Sequence, residues 1–388
     1  MLEQVIDVDR PLEVNSFRGL SAAILMGVIG PEVFIVQPGF VQGLVVHLGL
    51  TDSQAGYTAS AEMFGIAATT ILLTFIAHKV NWRVVFTCSL IVMFLTNALS
   101  TLVDDFELFT ALRFGAGLGA GGLVSLSFAA IGLTDDPDRN FGYLIMWVLI
   151  YGAIGLMLMP TAYDLGGMDT VLWFFALFPL VGLPFVKYLP DTGENAVAVE
   201  QDAVTLPVML RGLALLAMLS YFLAQGVVWA YLFLIGLSGG LGEQQVANGL
   251  TISQFAGIGG AFLAALIGKR YGRSLPLTAG ILGGALCLYF LVGELEFLIF
   301  ALAVSLYNFA WNLTHPYLLA AMASFDRRGR VVVYAVAMQM VGLAIGPSLA
   351  ASVIERGQYV NVNILGAALF LLSLAFVLPP VIARARGE

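Results

Sequence analysis

Three ionisable residues interrupt otherwise apolar runs in the first half of the chain: Glu32 in GVIGPEVFIVQPG, Glu62 in TASAEMFGIAATT and Arg113 in TALRFGAGLGAGG. An acid held at the middle of a bilayer costs about 2.5 to 3.5 kcal/mol on insertion scales, so such a group must face protein or water and is by default a candidate for function. The chemistry within reach is proton carriage. Desolvation disfavours the charged form of a carboxyl and a nearby cation favours it, so protonation can be tied to conformation or to a ligand. An arginine cannot shed its charge, and Arg113 therefore needs a carboxylate or an anionic ligand. Glu62 and Arg113 sit at similar depths, five or six residues in from one end of their runs. Their matched depth predicts a permanent pair and leaves Glu32 to titrate. The rival assignment gives the proton to Glu62 and makes Arg113 the switch. A purely structural alternative is a protonated Glu32 donating to a carbonyl freed by Pro31 or Pro38.

The second half carries neutral polar and aromatic groups at mid-depth: Gln225, Trp229, Gln254, Gln339, and the run NFAWNLTHP with Asn308, Trp311, Asn312 and His315. Spacings of three and four place the last four on one helical face, which is too polar for lipid. One Asn or Gln alone is explained by an interhelical hydrogen bond of about 0.6 kcal/mol. Clustered at one depth with two tryptophans, they fit a substrate site at the bilayer midplane. His315 either titrates, since its unperturbed pKa is about 6.5, or satisfies a neighbour. His47 and His78 read as interfacial.

These residues need apolar helices to position them, and the composition supplies little else: 60% of the 388 residues are hydrophobic and 11% charged. Spans of about 20 apolar residues are expected at 20–46, 57–77, 84–103, 108–131, 141–163, 170–189, 209–236, 246–268, 275–292, 297–323, 331–352 and 360–383. With the N-terminus inside, fifteen of the 17 basic residues flank the inner ends of these spans; Arg113 and Arg356 are the exceptions. That asymmetry predicts both termini in the cytoplasm, and the expected location is the plasma (bacterial inner) membrane. The acids gather at the opposite ends, so the net charge of −8 describes loops and gives no reason to expect a nucleic acid partner. The N-terminus lacks the basic start of a signal peptide, so the first span is expected to be retained. Cys88 and Cys287 suggest neither a disulfide nor a metal site, and no cofactor is expected. The acid clusters VDDFE and TDDPD fall in short loops on opposite sides, which argues against a metal-dependent membrane enzyme. The absence of a glycine-rich phosphate loop excludes an ATP-driven pump.

The chain repeats itself. Shifted by about 191 residues, SQAGYTASAEMFGIAATTILLTFIAHKVNWR from 53 lies over QQVANGLTISQFAGIGGAFLAALIGKRYGRS from 244, and Gly152 in the fifth span falls near Gly342 in the eleventh. The expected organisation is a cytoplasmic N-terminus (1–19), a six-helix bundle (20–189), a cytoplasmic linker (190–208), a second six-helix bundle (209–383) and a cytoplasmic C-terminus (384–388).

Three local patterns carry a resemblance to the major facilitator superfamily. The loop signature Gly-x-x-x-Asp-Arg-x-Gly-Arg-Arg reads TFIAHKVNWR after span two, with only Arg83 kept and Lys79 in place of the arginine. After span eight it reads ALIGKRYGRS, keeping Arg270, Gly272 and Arg273. LRFGAGLGAGG resembles the fourth-helix pattern of an arginine and a glycine four residues later, Arg113 and Gly117 here. GLAIGPSLA, with Gly342, Gly346 and Pro347, resembles the Gly-x-x-x-Gly-Pro element that proton-driven exporters carry in the fifth span, though it sits here in the eleventh. The resemblance implies an all-α integral membrane protein of twelve transmembrane helices in two pseudo-symmetric bundles, working by alternating access. It also implies a cytoplasmic gate at Lys79, Arg83, Arg270 and Arg273. The expected function is proton-coupled secondary transport of a small organic solute by a monomer in membrane lipid, with a slight lean to efflux. Import of an organic anion or polar solute by symport is the alternative; a non-transporting receptor or assembly factor is another. A sodium-coupled variant fits the same residues.

Overall fold

The computed structural model describes residues 13–192, 205–268, 270–326, 330–355 and 357–386, which are helical almost throughout. The linker core at 193–204 and the basic residues Arg10, Lys269, Arg327, Arg328 and Arg356 lie outside the described residues. The helices are α1 (Phe17–Ile29), α2 (Glu32–Ile35), α3 (Gln37–Val46), α4 (Asp52–Ile76), α5 (Trp82–Ser100), α6 (Phe106–Gly132), α7 (Pro137–Gly182), α8 (Val208–Trp229), α9 (Leu232–Ser238), α10 (Glu243–Ile267), α11 (Ser274–Tyr289), α12 (Phe297–Ser324), α13 (Arg330–Val353) and α14 (Val360–Arg386). Among the described residues, nine helices are each long and apolar enough to cross a membrane, while α1 and α11 are shorter apolar helices. Taking α1 to α3 as the first crossing, α7 as two and α8 with α9 as one gives twelve crossings in two six-helix bundles of an integral membrane protein.

Four spans depart from the expected separate, continuous helices. The first breaks twice, at Pro31 and at Val36, leaving Glu32 in the four-residue α2. Proline supplies the reason: it has no N–H and crowds the preceding turn. The fifth and sixth spans are joined end to end as α7, whose kink falls at Gly166 and Gly167. Gly167 takes φ +62°, a left-handed conformation that needs glycine. The seventh span breaks at Ala230 and Tyr231, between α8 and α9.

Helix starts on one face are capped by the acids and hydroxyls that the sequence places there. Thr51 and Gln54 form a capping box on α4, and Asp105 accepts from the Leu108 N–H at the start of α6. Acids in a first turn also complement the helix dipole, as Asp52, Glu107 and Glu243 do. Glycines let helices within each bundle touch backbone to backbone. A Cβ on Gly117 of α6 would strike the Glu62 carbonyl of α4, and one on Gly346 of α13 would strike Gly226 of α8. Between bundles the largest contacts pair α4 with α13 and α7 with α10.

Candidate functional site

The bundles are tied together on the acidic face. Asp52 receives two hydrogen bonds from the other half: Tyr359 Oη donates to its carboxylate at 2.7 Å and Tyr231 Oη to its carbonyl at 2.8 Å. Burial, reinforced by the Asp52 carboxylate, pushes the Tyr359 phenol above its ordinary range, so it stays a donor. Ser348 N donates to Ser60 Oγ at 2.8 Å, Thr251 Oγ1 to the Ala153 carbonyl at 3.2 Å and Gln42 Nε2 to Glu243 at 3.4 Å. Gly56 of α4 packs so closely that an added Cβ would meet Tyr231 Oη and the Pro347 carbonyl.

Below this seal is an aromatic layer. Trp229, Trp311, Phe34 and Tyr307 meet edge to face, with Trp311 5.9 Å from Trp229, 6.3 Å from Phe34 and 6.1 Å from Tyr307 between ring centroids. From the midplane a cavity of about 260 Å³ runs between the halves toward the basic face, past Gly27, Phe128 and Leu144. Its two walls differ. The first half contributes Gly27, Pro31, Phe34, Ile35, Met63, Ile66, Val124, Phe128, Leu144, Ile145, Val148 and Leu149, all without a charged or hydrogen-bonding side chain. The second half contributes Trp229, Gln254, Asn308, Trp311, Asn312, His315 and Gln339, together with Phe222, Met340 and Leu343. Among the described residues no Asp, Glu, Lys or Arg lines it.

The polar wall is internally ordered. Asn308 Nδ2 donates to Ser253 Oγ at 3.0 Å, Asn312 Nδ2 to the Asn308 carbonyl at 3.0 Å, and His315 Nε2 lies 3.1 Å from Gln339 Oε1. Gln254 Nε2 has no protein partner and is buried at the wall, so a donor remains for a ligand. Gln225, expected with this group, is absent from the lining; Tyr307 Oη donates to its carbonyl behind the wall.

The three charged residues lie behind the first-half wall, inside the bundle. Glu32, Glu62 and Arg113 are 0%, 3% and 0% exposed, and none reaches the cavity. The expected ion pair between Glu62 and Arg113 is not formed. Arg113 instead donates from Nη1 to Asn97 Oδ1 at 2.8 Å and from Nη2 to Ser100 Oγ at 3.0 Å, with its guanidinium over the Phe40 and Phe109 rings at 6.0 and 5.7 Å. Equal depth fixes height in the bilayer but not the side of the helix, and the third span supplies the partners. Both Glu32 oxygens lack a protein partner, so Glu32 does not donate to a carbonyl freed by either proline. Tyr151, whose hydroxyl is likewise unpartnered, lies near enough to sense the Glu32 charge, as do Glu62 and Arg113. Asn97, Ser100 and Tyr151 are functional candidates that the sequence reading passed over; a polar side chain in span three at the depth of Arg113 was the available signal.

On the basic face, Arg83 Nε donates to the Leu189 carbonyl at 2.6 Å within its own half, while Lys79 and Arg270 are exposed and Arg273 half-buried. Among the described residues no group of three or more His, Cys, Asp or Glu could hold a metal ion.

The sequence profile of the Major Facilitator Superfamily matches residues 22–325. A gentisate transporter of Corynebacterium glutamicum is 26% identical, the match covering 91% of this chain and 86% of that protein. Among solved structures, an inward-open xylose transporter from E. coli superimposes with TM-score 0.72 at 15% identity, over 92% of this chain and 95% of that one. A nucleoside transporter superimposes with TM-score 0.68 at 14% identity, over 97% and 99%. These structures share the fold of this chain.

Proposed function

The chain belongs to the major facilitator superfamily and is a transporter of small solutes rather than an enzyme, and from that premise we propose that it is a proton symporter of a small aromatic acid. The observation that carries the reading is the separation of the two chemistries: the unpartnered carboxyl of Glu32 lies behind an apolar wall, and the neutral polar groups face the cavity. Separate sites allow proton and cargo to be bound together, which symport requires. Antiport by competition, the sense of the slight lean to efflux, would call for the titrating carboxyl on the cavity wall.

The cargo class follows from the lining. An aromatic ring suits the edges of Phe34, Trp229 and Trp311, and ring hydroxyl and carboxyl oxygens suit the amide donors of Gln254, Asn308, Asn312 and Gln339. The relative named for gentisate, a dihydroxylated aromatic acid, favours the same class. Glu32 carries the proton, and Arg113, fixed by Asn97 and Ser100, balances it. With the basic face cytoplasmic, as the positive-inside rule places it, the structure is an inward-facing state, and Lys79, Arg83, Arg270 and Arg273 act as the cytoplasmic gate in the opposite one. The bundles span 20–189 and 209–383, joined by the linker at 190–208, and a monomer in the bacterial inner membrane is the working unit.

Labelled gentisate and purified protein in liposomes test this. The expected result is accumulation when the outside is made acidic, abolished by a protonophore. Accumulation only when the lumen is made acidic would overturn symport, and no flux under either gradient would overturn the cargo class.

A further inference from the structure

The proton site and the cargo cavity do not touch, so coupling requires a part of the molecule that belongs to both. The four-residue α2 is such a part. It carries Glu32, which points away from the cavity, and Phe34 and Ile35, which line it. Glu62 on α4, Arg113 on α6 and Tyr151 on α7 are the titratable and charged groups facing Glu32, and none lines the cavity.

What fixes α2 from the other side is one hydrogen bond. In a regular helix the carbonyl of Phe34 would accept from the N–H of residue 38, but residue 38 is proline and has none. The indole Nε1 of Trp229 supplies a donor at 2.9 Å, across the interface between the halves. Trp229 is itself the last residue of α8, at the break of the seventh span. The Phe34 carbonyl accepts the Val36 N–H at the turn that ends α2 and, at the helical position that Pro38 cannot fill, the Trp229 indole, so this second bond joins the break of span one to the break of span seven. The same indole meets Trp311 of the cavity wall at 5.9 Å, and Trp311 meets Phe34 at 6.3 Å. With its N–H occupied, Trp229 has no donor left for cargo.

We infer that Trp229 is a positioning residue that transmits the protonation of Glu32 to the arrangement of the two halves, through its hydrogen bond to the Phe34 carbonyl. This rests on the reading of Glu32 as the proton carrier. A proton arriving on or leaving Glu32 moves α2 relative to its bundle; the indole passes that movement to the break of span seven and to Trp311.

The test needs no cargo. Spin labels at Tyr143 of α7 and Tyr334 of α13, both exposed near the basic ends of their helices, report the separation of the halves in nanodiscs, with Cys88 replaced by serine. Glu32→Gln mimics the protonated carboxyl. In the otherwise native protein it is expected to change the ratio of open to closed populations by about fivefold or more, the lower range of measured couplings between sites. In Trp229→Phe the same substitution is expected to change that ratio less than about twofold, a non-additive cycle. Pro38→Ala is a second route that favours helix: it restores an N–H at residue 38 to compete for the Phe34 carbonyl, and it is expected to blunt the Glu32→Gln effect in the same way. Trp229→His, which keeps a ring N–H, is expected to restore part of the response. A full Glu32→Gln effect that persists in both Trp229→Phe and Pro38→Ala overturns the inference and leaves the proton reading standing. No Glu32→Gln effect in the native background overturns the proton reading itself, and the inference with it.

Discussion

The two walls of the cavity are built on opposite plans. The first half hides its intramembrane charges inside the bundle and turns an apolar face to the cavity, whereas the second half keeps little charge in its spans and turns amides, indoles and a histidine to it. In the first half Arg113 is held by Asn97 and Ser100 away from the cavity; in the second, Asn312 is ordered on Asn308 and Gln339 on His315 at the cavity wall. Under the proposed function, the difference assigns energy coupling to the first half and recognition to the second. Polar substitutions in the first half should act on stability and coupling, and those in the second on affinity.

The largest effect is expected from Arg113→Leu. It removes the two charge-assisted hydrogen bonds to Asn97 and Ser100, worth about 1.5 to 3 kcal/mol each, together with the cation nearest the buried carboxyls. Thermal unfolding of the purified variant should show it, together with loss of uptake; a melting temperature within a degree or two of the parent would break the comparison. Next comes Tyr359→Phe, which removes a hydrogen bond to a carboxylate worth roughly 1.5 to 3 kcal/mol and should shift the molecule toward closure of its basic face. Slower labelling of a cysteine at Gln339 would report that shift. The phenol of Tyr359 is raised above its ordinary value, so its neutral donor form persists from neutral pH past about pH 10, and the seal should not open through tyrosine ionisation in that window.

Much of this plan was legible in the amino-acid order. Apolar run lengths gave the crossings and the 191-residue shift gave the two bundles, while the alternation of Lys and Arg with acids is the basis for the proposed sense of insertion. The NFAWNLTHP face was legible because a three-and-four spacing fixes azimuth as well as depth, and the structure brings Asn308, Trp311, Asn312 and His315 to one wall. Lone polar residues carry no such information. Glu62 and Arg113 share a depth but form no ion pair, and Gln225 is absent from the wall that Gln254 lines. The breaks in spans one and seven were also hidden in part. Pro31 and Pro38 signal the first, but nothing in GVVWAYLF marks the second, which depends on packing against the other half.

Smaller effects sharpen the contrast from the second half. Trp311→Ala removes an aromatic contact worth about 0.5 to 1.5 kcal/mol beyond its area, so gentisate affinity in a thermal-shift titration should fall roughly 3- to 10-fold. Gln339→Leu should cost about 0.6 kcal/mol, under threefold in affinity, with proton coupling retained. A loss of coupling in Gln339→Leu would mean that the second half shares the proton work.

The central claim is that proton and cargo occupy separate sites, and Glu32→Gln in liposomes tests it most directly. With labelled gentisate, exchange between equal concentrations on both sides should continue at a rate near that of the parent, while accumulation driven by an acidic exterior disappears. Loss of exchange together with accumulation would place Glu32 in the cargo site, and intact accumulation would remove it from the mechanism.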